Sequence, residues 1–269
     1  MLIAGHRIDG IGLGTAQFAF RDGTDEDCVA TVRAALDAGV RLIDTALAYT
    51  RPGIESYAEQ MVARAVRGST GDRPLIATKG GHRRDGDTFP VDGRPETLGA
   101  HCDISLRTLG VDQIDLYLLH HVDPAVPLAE SVDALGQLRR EGKVAAIGLS
   151  NVTVGQLDAA LAVAPIAAVQ NRLSYGNPAD LPTALACAQR NVAYLAYAPF
   201  GGPSGAPPEP ALTVADRRGV SVHRVLLAWL RAQSANILPL VGASRPASIR
   251  DSATPLDLDG QDLADLRNR

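Results

Sequence analysis

A chain of 269 residues with 46% hydrophobic and 21% charged side chains has a globular composition, which excludes a disordered or fibrous chain and leaves room for one large domain or two small ones. A formal net charge of -4 and a pI of about 5.9 exclude the clustered excess of Lys and Arg that a nucleic-acid surface needs, so the expected partner is a small molecule. Cys28, Cys102 and Cys187 are odd in number and widely spaced, which argues against a disulfide framework or a metal site and for a reducing, cytoplasmic setting.

The amino terminus lacks a basic region followed by an apolar stretch, and no uncharged apolar segment reaches the roughly 20 residues that span a bilayer, so no membrane partner is expected. Residues 2–9 read as a small hairpin and 11–14 as the first strand of the main fold, with glycines that permit close approach. Thr24, with acids at the next three positions, resembles a helix N-cap; Val29, Val32, Ala35 and Leu36 follow at helical spacing, and Gly39 ends the helix. Strand 40–44, helix 55–66, strand 75–79, a helix over 95–109 opened by Pro95, strand 114–119, helix 128–141 and strand 144–149 continue the alternation. Thr153 and Gln156 form a capping-box pattern. Strand 166–169, helix 179–189, strand 192–197, helices 211–218 and 222–232, strand 237–241 and a helix from 246 complete the chain. Trp229 reads as a core anchor on its helix.

Strand–helix alternation of this length predicts an α/β fold, a (β/α)8 TIM barrel in a single domain over 1–269, with a doubly wound open sheet as the alternative. No linker divides the chain, and the Pro- and Gly-rich stretch 201–210 reads as a loop over the barrel mouth. Gly10, Gly12 and Gly14 suggest a dinucleotide-binding glycine loop, but the third glycine of GxGxxG is missing and no helix starts directly after them.

Polar residues fall at the carboxyl ends of successive predicted strands or just beyond them: Asp44 and Tyr49, then Lys79, then His120, then Ser150 and Asn151. Each has an ordinary reading as a turn cap, a half-buried core residue or a solvated charge. In a barrel, however, those ends converge on one face. There an ammonium beside a phenol lowers the phenol's pKa, and a carboxylate fixes the ammonium, which makes an acid–base centre. His120, His121 and Asp123 are not expected to hold a metal, because adjacent histidines should diverge at a strand end. His82, Arg83 and Arg84 read either as a solvated basic loop or as a contact for an anionic substrate.

Asp44-Thr45-Ala46 with Tyr49, Thr78-Lys79-Gly80, residues 115–120, and Gly148-Leu149-Ser150-Asn151, taken together in this order, resemble the aldo-keto reductase superfamily. The resemblance implies an NAD(P)H-dependent oxidoreductase on a (β/α)8 barrel, reducing an aldehyde or ketone to the alcohol, with sugars and secondary-metabolite carbonyls among the candidates. It implies Tyr49 as general acid, Lys79 and Asp44 as its tuning pair, and His120 as the group that orients the carbonyl. Ser150, Asn151 and Gln170 match the positions that hold the nicotinamide carboxamide, and Tyr197 matches the ring stacked on the nicotinamide. Ser244 and Arg245 match the loop that holds an adenosine 2′-phosphate, so NADPH is the expected cofactor and NADH the alternative. Ser248 and Ser252 depart from the longer polar side chain and Asn usual in that motif. Substrate specificity is expected in the loops carrying Phe18 and Phe20, residues 82–89 and residues 200–210. The competing function is a nucleotide-binding regulatory or redox-sensing subunit with little turnover.

Overall fold

The computed structural model describes residues 1–67, 72–86, 88–202 and 206–267; part of the expected mouth loop, residues 203–205, and residue 87 lie outside them. A hairpin of β1 (Leu2–Ile3) and β2 (His6–Arg7) opens the chain. Its turn residues Ala4 (φ 49°) and Gly5 (φ 82°) both have the positive φ that a tight two-residue hairpin turn demands. Eight parallel strands then close a barrel: β3 (Gly12–Gly14), β4 (Leu42–Asp44), β5 (Leu75–Gly80), β6 (Ile114–Leu119), β7 (Val144–Ser150), β8 (Ala168–Arg172), β9 (Ala193–Tyr197) and β10 (Ile237–Gly242), with β10 pairing both β9 and β3. The alternative of an open sheet is thereby excluded.

Side chains alternate in and out along each strand, so two apolar sets are needed. The outward set, including Leu13, Ile43, Ile76, Tyr117, Ile147, Val169 and Val241, packs in one cluster with helix residues such as Val32, Met61, Leu135 and Trp229. The inward set, Leu42, Leu75, Leu116, Leu118, Leu195, Leu238 and Leu240 with small alanines, fills the barrel together with Ile3 and Ile8 of the hairpin, which closes its amino end. Continuing that inward register toward the carboxyl ends reaches Asp44 after Leu42, Lys79 after Ala77, Ser150 after Gly148, Gln170 after Ala168 and Tyr197 after Leu195. The polar site is therefore the top layer of the barrel's own packing.

Small residues make that interior possible. A Cβ on Gly148 would stand 2.7 Å from the Ala168 carbonyl oxygen, and one on Gly12 would stand 2.7 Å from Leu240 Cδ2. The Gly148 neighbour is backbone and cannot rotate away, so Gly148→Ala should lower stability by about 1–3 kcal/mol through overpacking. Denaturant unfolding of the two proteins checks this, and an unchanged midpoint would mean the strands can spread.

Helices lie between successive strands, and the sequence signals that start them are realised. Thr24 with Asp27 and Thr153 with Gln156 form reciprocal capping boxes at the helices Asp25–Asp37 and Val154–Leu161. Two helices were not expected from sequence, Ala16–Phe20 and Gly260–Asp265. No helix among the described residues is long and apolar enough to cross a membrane.

Candidate active site

The structure brings Asp44, Tyr49, Lys79 and His120 together at the carboxyl end of the barrel. Lys79 is fully buried, and its Nζ donates to Asp44 Oδ1 at 2.7 Å, to the Thr45 carbonyl at 2.8 Å and to the Tyr49 hydroxyl at 3.3 Å. All three of its donors are thus used, which fixes the ammonium. Beneath it the buried Glu59 accepts hydrogen bonds from the hydroxyls of Ser56 and Thr78, the latter at 2.5 Å, and so ties the helix Tyr57–Val66 to the end of β5 beside Lys79. Tyr49 comes from the loop after β4, where its N–H donates to the Ala46 carbonyl at 3.0 Å and its own carbonyl accepts from Ala58 at 3.0 Å. The His120 ring meets the Tyr49 ring edge-on, with centroids 5.8 Å apart.

Electrostatics separate the roles of these groups. Burial pushes the Lys79 ammonium down, but the Asp44 carboxylate and Tyr49 more than offset this, and its pKa is raised. Burial pushes the Tyr49 phenol up; the Lys79 charge and hydrogen bond pull it back only in part, so the net displacement is upward. The sequence predicts a lowered phenol. The correction is that desolvation outweighs the ammonium, and Lys79 limits the rise. Burial, with the Lys79 charge second, holds His120 well below the ordinary histidine value, so it is neutral near pH 7.

A cavity of about 900 Å³ opens from Tyr49 and His120, runs past Ser150, Asn151, Gln170 and Tyr197, and ends at Ser244, Arg245 and Ser248. Gln170 Nε2 donates to Asp44 Oδ1 at 2.7 Å, which links the carboxamide-type residues to the acid–base centre. Ser150 Oγ donates to the Gln170 carbonyl at 2.8 Å, and the Tyr197 hydroxyl donates to Asn151 Oδ1 at 2.8 Å. Asn151 has a left-handed backbone, φ 60°, a conformation Asn tolerates better than most residues. It is held there by its side-chain donation to the His120 carbonyl at 3.0 Å and by Asn171, which bonds both the N–H and the carbonyl of Val152. At the far end Arg245 precedes the helix Pro246–Ala253, which begins without a side-chain cap and so leaves its first N–H groups open to an anion.

The profile of the Aldo/keto reductase family matches residues 10–206. The chain belongs to this family. An uncharacterised oxidoreductase of Schizosaccharomyces pombe is 32% identical over 222 residues, covering 82% of this chain and 71% of that protein. The solved glycerol dehydrogenase of Gluconobacter oxydans superposes with a TM-score of 0.84 at 27% identity, over 97% of this chain and 93% of its own. An aldo/keto reductase of Klebsiella pneumoniae, solved in complex with NADP and acetate, superposes with a TM-score of 0.79 at 28% identity, over 96% of this chain and 90% of its own. This aldo/keto reductase is accordingly an NAD(P)H-dependent oxidoreductase.

The cavity of the reductase fits a nicotinamide dinucleotide by its chemistry. Asn151 and Gln170 each carry a donor and an acceptor suited to a carboxamide, Tyr197 supplies a ring, and the opposite end supplies open N–H groups and a guanidinium. Among the lining residues that escape sequence reasoning are Gln17, Arg21, His223 and Asp251. Asp251 accepts from the Ser221 hydroxyl at 2.6 Å, and the His223 ring meets Phe200 with centroids 4.6 Å apart, so both are ordered by contacts between elements distant in sequence. The histidine pair also departs from expectation. His120 and His121 lie past the end of β6, where strand alternation no longer applies, and their rings stack at 5.2 Å and 16° instead of diverging. Among the described residues no group of three or more His, Cys, Asp or Glu side chains could hold a metal ion.

Proposed function

We propose that this enzyme is an NADPH-dependent reductase of aldehydes or ketones in which Tyr49 gives the proton to the carbonyl oxygen. The observation that carries this reading is the buried Lys79 ammonium within hydrogen-bond reach of Asp44 and the Tyr49 hydroxyl, two residues that line the cavity. The cofactor, when bound, supplies the hydride that adds to the carbonyl carbon. Tyr49 donates its proton to the oxygen as negative charge develops there, so that hydride plus proton yield the alcohol. His120 is neutral and cannot serve as an imidazolium acid. Its Nδ1 has no hydrogen-bond partner among the described residues, so placing the proton on Nε2 forfeits nothing and leaves a donor to orient the oxygen. Lys79 stays charged and stabilises the phenolate left behind, while Asp44 holds Lys79 in place. Ser150, Asn151 and Gln170 would hold the carboxamide of the bound cofactor, and the Tyr197 ring would pack against its nicotinamide.

Preference for NADPH follows from Arg245, an exposed guanidinium beside Ser244 and the open end of the helix Pro246–Ala253. A 2′-phosphate there would meet charge-assisted hydrogen bonds. Arg245→Ala should therefore weaken NADPH binding and leave NADH binding almost unchanged. At roughly 1.5–3 kcal/mol for bonds to a charged group, the preference should fall by about ten- to a hundredfold. Dissociation constants of both cofactors for both proteins decide it; equal losses, or a native enzyme favouring NADH, would remove Arg245 from the phosphate site. The proposed reaction is tested by following the absorbance of reduced nicotinamide with a panel of aldehydes and ketones while quantifying the alcohol formed.

A further inference from the structure

Behind Lys79, on the outer face of β5, lies a second carboxyl group that the proposed reaction leaves unused. Glu59 is 0% exposed, and hydroxyl groups supply its hydrogen bonds. Ser56, which precedes the helix Tyr57–Val66, donates to one oxygen, and Thr78 of β5 donates to the other at 2.5 Å. A third hydroxyl, that of Ser105 in the helix Pro95–Leu109, faces the same carboxyl and makes no other hydrogen bond among the described residues. A carboxylate accepts from all three without having to donate in return, and Glu59 stands in the first turn of its helix, where the dipole favours negative charge. Both features stabilise the ionised form against its burial.

The titratable groups that face Glu59 from the neighbouring elements are Lys79 of β5, Cys102 of the helix Pro95–Leu109 and Tyr117 of β6. Burial pushes the Cys102 thiol up to about 12 and the Tyr117 phenol well above its ordinary value, so both are neutral near pH 7. Among the described residues, the charge that Glu59 meets is therefore the Lys79 ammonium. That ammonium spends its three donors on Asp44, Thr45 and Tyr49, so Glu59 acts on it through charge and not through a hydrogen bond. Burial raises the Glu59 carboxyl itself, and the hydroxyls and the ammonium draw it back.

We infer that Glu59 is a positioning residue of the acid–base centre: as a carboxylate it offsets part of the Lys79 charge and so keeps the Tyr49 hydroxyl protonated, the form that reduction needs. The inference rests on the reading of Tyr49 as the proton donor and adds the group that sets the pH range in which it acts. Asp44 and Glu59 oppose the ammonium from two sides, Asp44 through a hydrogen bond inside the barrel and Glu59 from outside its wall. With Glu59 made neutral, more of the ammonium's field reaches Tyr49 and favours the phenolate. The alkaline limb of reduction then moves to lower pH, whereas removal of the cation itself moves it to higher pH.

Single-turnover reduction across pH, with saturating NADPH and the best aldehyde or ketone of the panel, tests this in Glu59→Gln, Glu59→Asp and Thr78→Val, alongside a melting curve for each. Glutamine keeps the shape and removes the charge. At a pH on the native alkaline limb its rate, relative to its own plateau, should be about three- to tenfold below the native value. Aspartate keeps the charge and should keep the limb at its native pH even where a poorer fit lowers the plateau. If Glu59→Gln does not fold, Thr78→Val carries the test: it takes one donor from the carboxylate, favours the protonated form, and should move the limb the same way by a smaller amount. A carboxyl that only braces the fold would lower the melting temperature and the plateau and leave the limb in place. An unmoved limb in the variant that carries the test, a limb displaced to higher pH, or equal displacement in Glu59→Gln and Glu59→Asp overturns the inference and leaves Tyr49 as the donor. An alkaline limb that survives in Tyr49→Phe overturns the reading of Tyr49 itself.

Discussion

Tyr49→Phe should lower the turnover number for carbonyl reduction by about 10²–10⁴-fold, the range spanned by a positioned general acid, and leave NADPH affinity within about twofold. The phenylalanine keeps the ring and its edge-on contacts with His120 and Phe20, so the pocket retains its shape. Only the hydroxyl is lost, together with its hydrogen bond from Lys79. Neutral His120 cannot take over the proton transfer, since burial and the Lys79 charge keep it from carrying a spare proton near pH 7. Single-turnover kinetics with saturating cofactor make the comparison, and a variant that keeps most of the native rate would assign the proton to another group.

Lys79→Met should be nearly as damaging to turnover and should leave a different signature. Reduction needs the protonated phenol, so its rate falls as pH rises through the Tyr49 pKa, whereas alcohol oxidation needs the phenolate and rises through the same value. In the native protein burial raises that pKa and Lys79 opposes the rise. Without Lys79 the opposition disappears, so the alkaline limb of reduction should move to higher pH while its plateau drops. The phenol is then a weaker acid, and its phenolate has lost its cation. Stability should fall too, because Asp44 remains buried with Gln170 as a neutral partner, and breaking a buried ion pair costs about 3–5 kcal/mol. Cofactor affinity and a melting curve therefore accompany the rate measurement. A pH limb and plateau that match the native enzyme would show that Lys79 does not act on Tyr49.

The barrel is legible in the sequence because its signals are local: apolar runs at strand length, caps such as Thr24 and Thr153, and polar residues at strand ends. What was missed is non-local. The strand expected over 166–169 lies instead at Ala168–Arg172, where the side chains of Gln170 and Asn171 find buried partners in Asp44 and the Val152 carbonyl, on other strands and loops. The short helix Ala16–Phe20 has no side-chain cap; it is held by Arg51, whose guanidinium donates to the Phe18 carbonyl at 2.8 Å from 33 residues away. The last helix, Gly260–Asp265, opens on a glycine, and it is the capping box of Asp259 and Asp262 that starts it. In the site, strand-end position was enough to name Asp44, Tyr49, Lys79 and His120 as a group. The balance of burial against charge at Tyr49 was not, since desolvation depends on what the whole fold places around the phenol.

The coupling of Lys79 to Tyr49 is the centre of the account, and the double variant Tyr49→Phe/Lys79→Met tests it most directly. If Lys79 acts on the chemistry through the Tyr49 hydroxyl, removing it once the hydroxyl is gone costs nothing further in the chemical step. The double variant should then turn over at the rate of Tyr49→Phe alone, within about twofold, a strongly non-additive result of the kind expected for residues that act as a unit. Losses that multiply, so that the double variant falls below Tyr49→Phe by the full factor that Lys79→Met shows in the native background, would mean that the two residues contribute independently and would contradict the account.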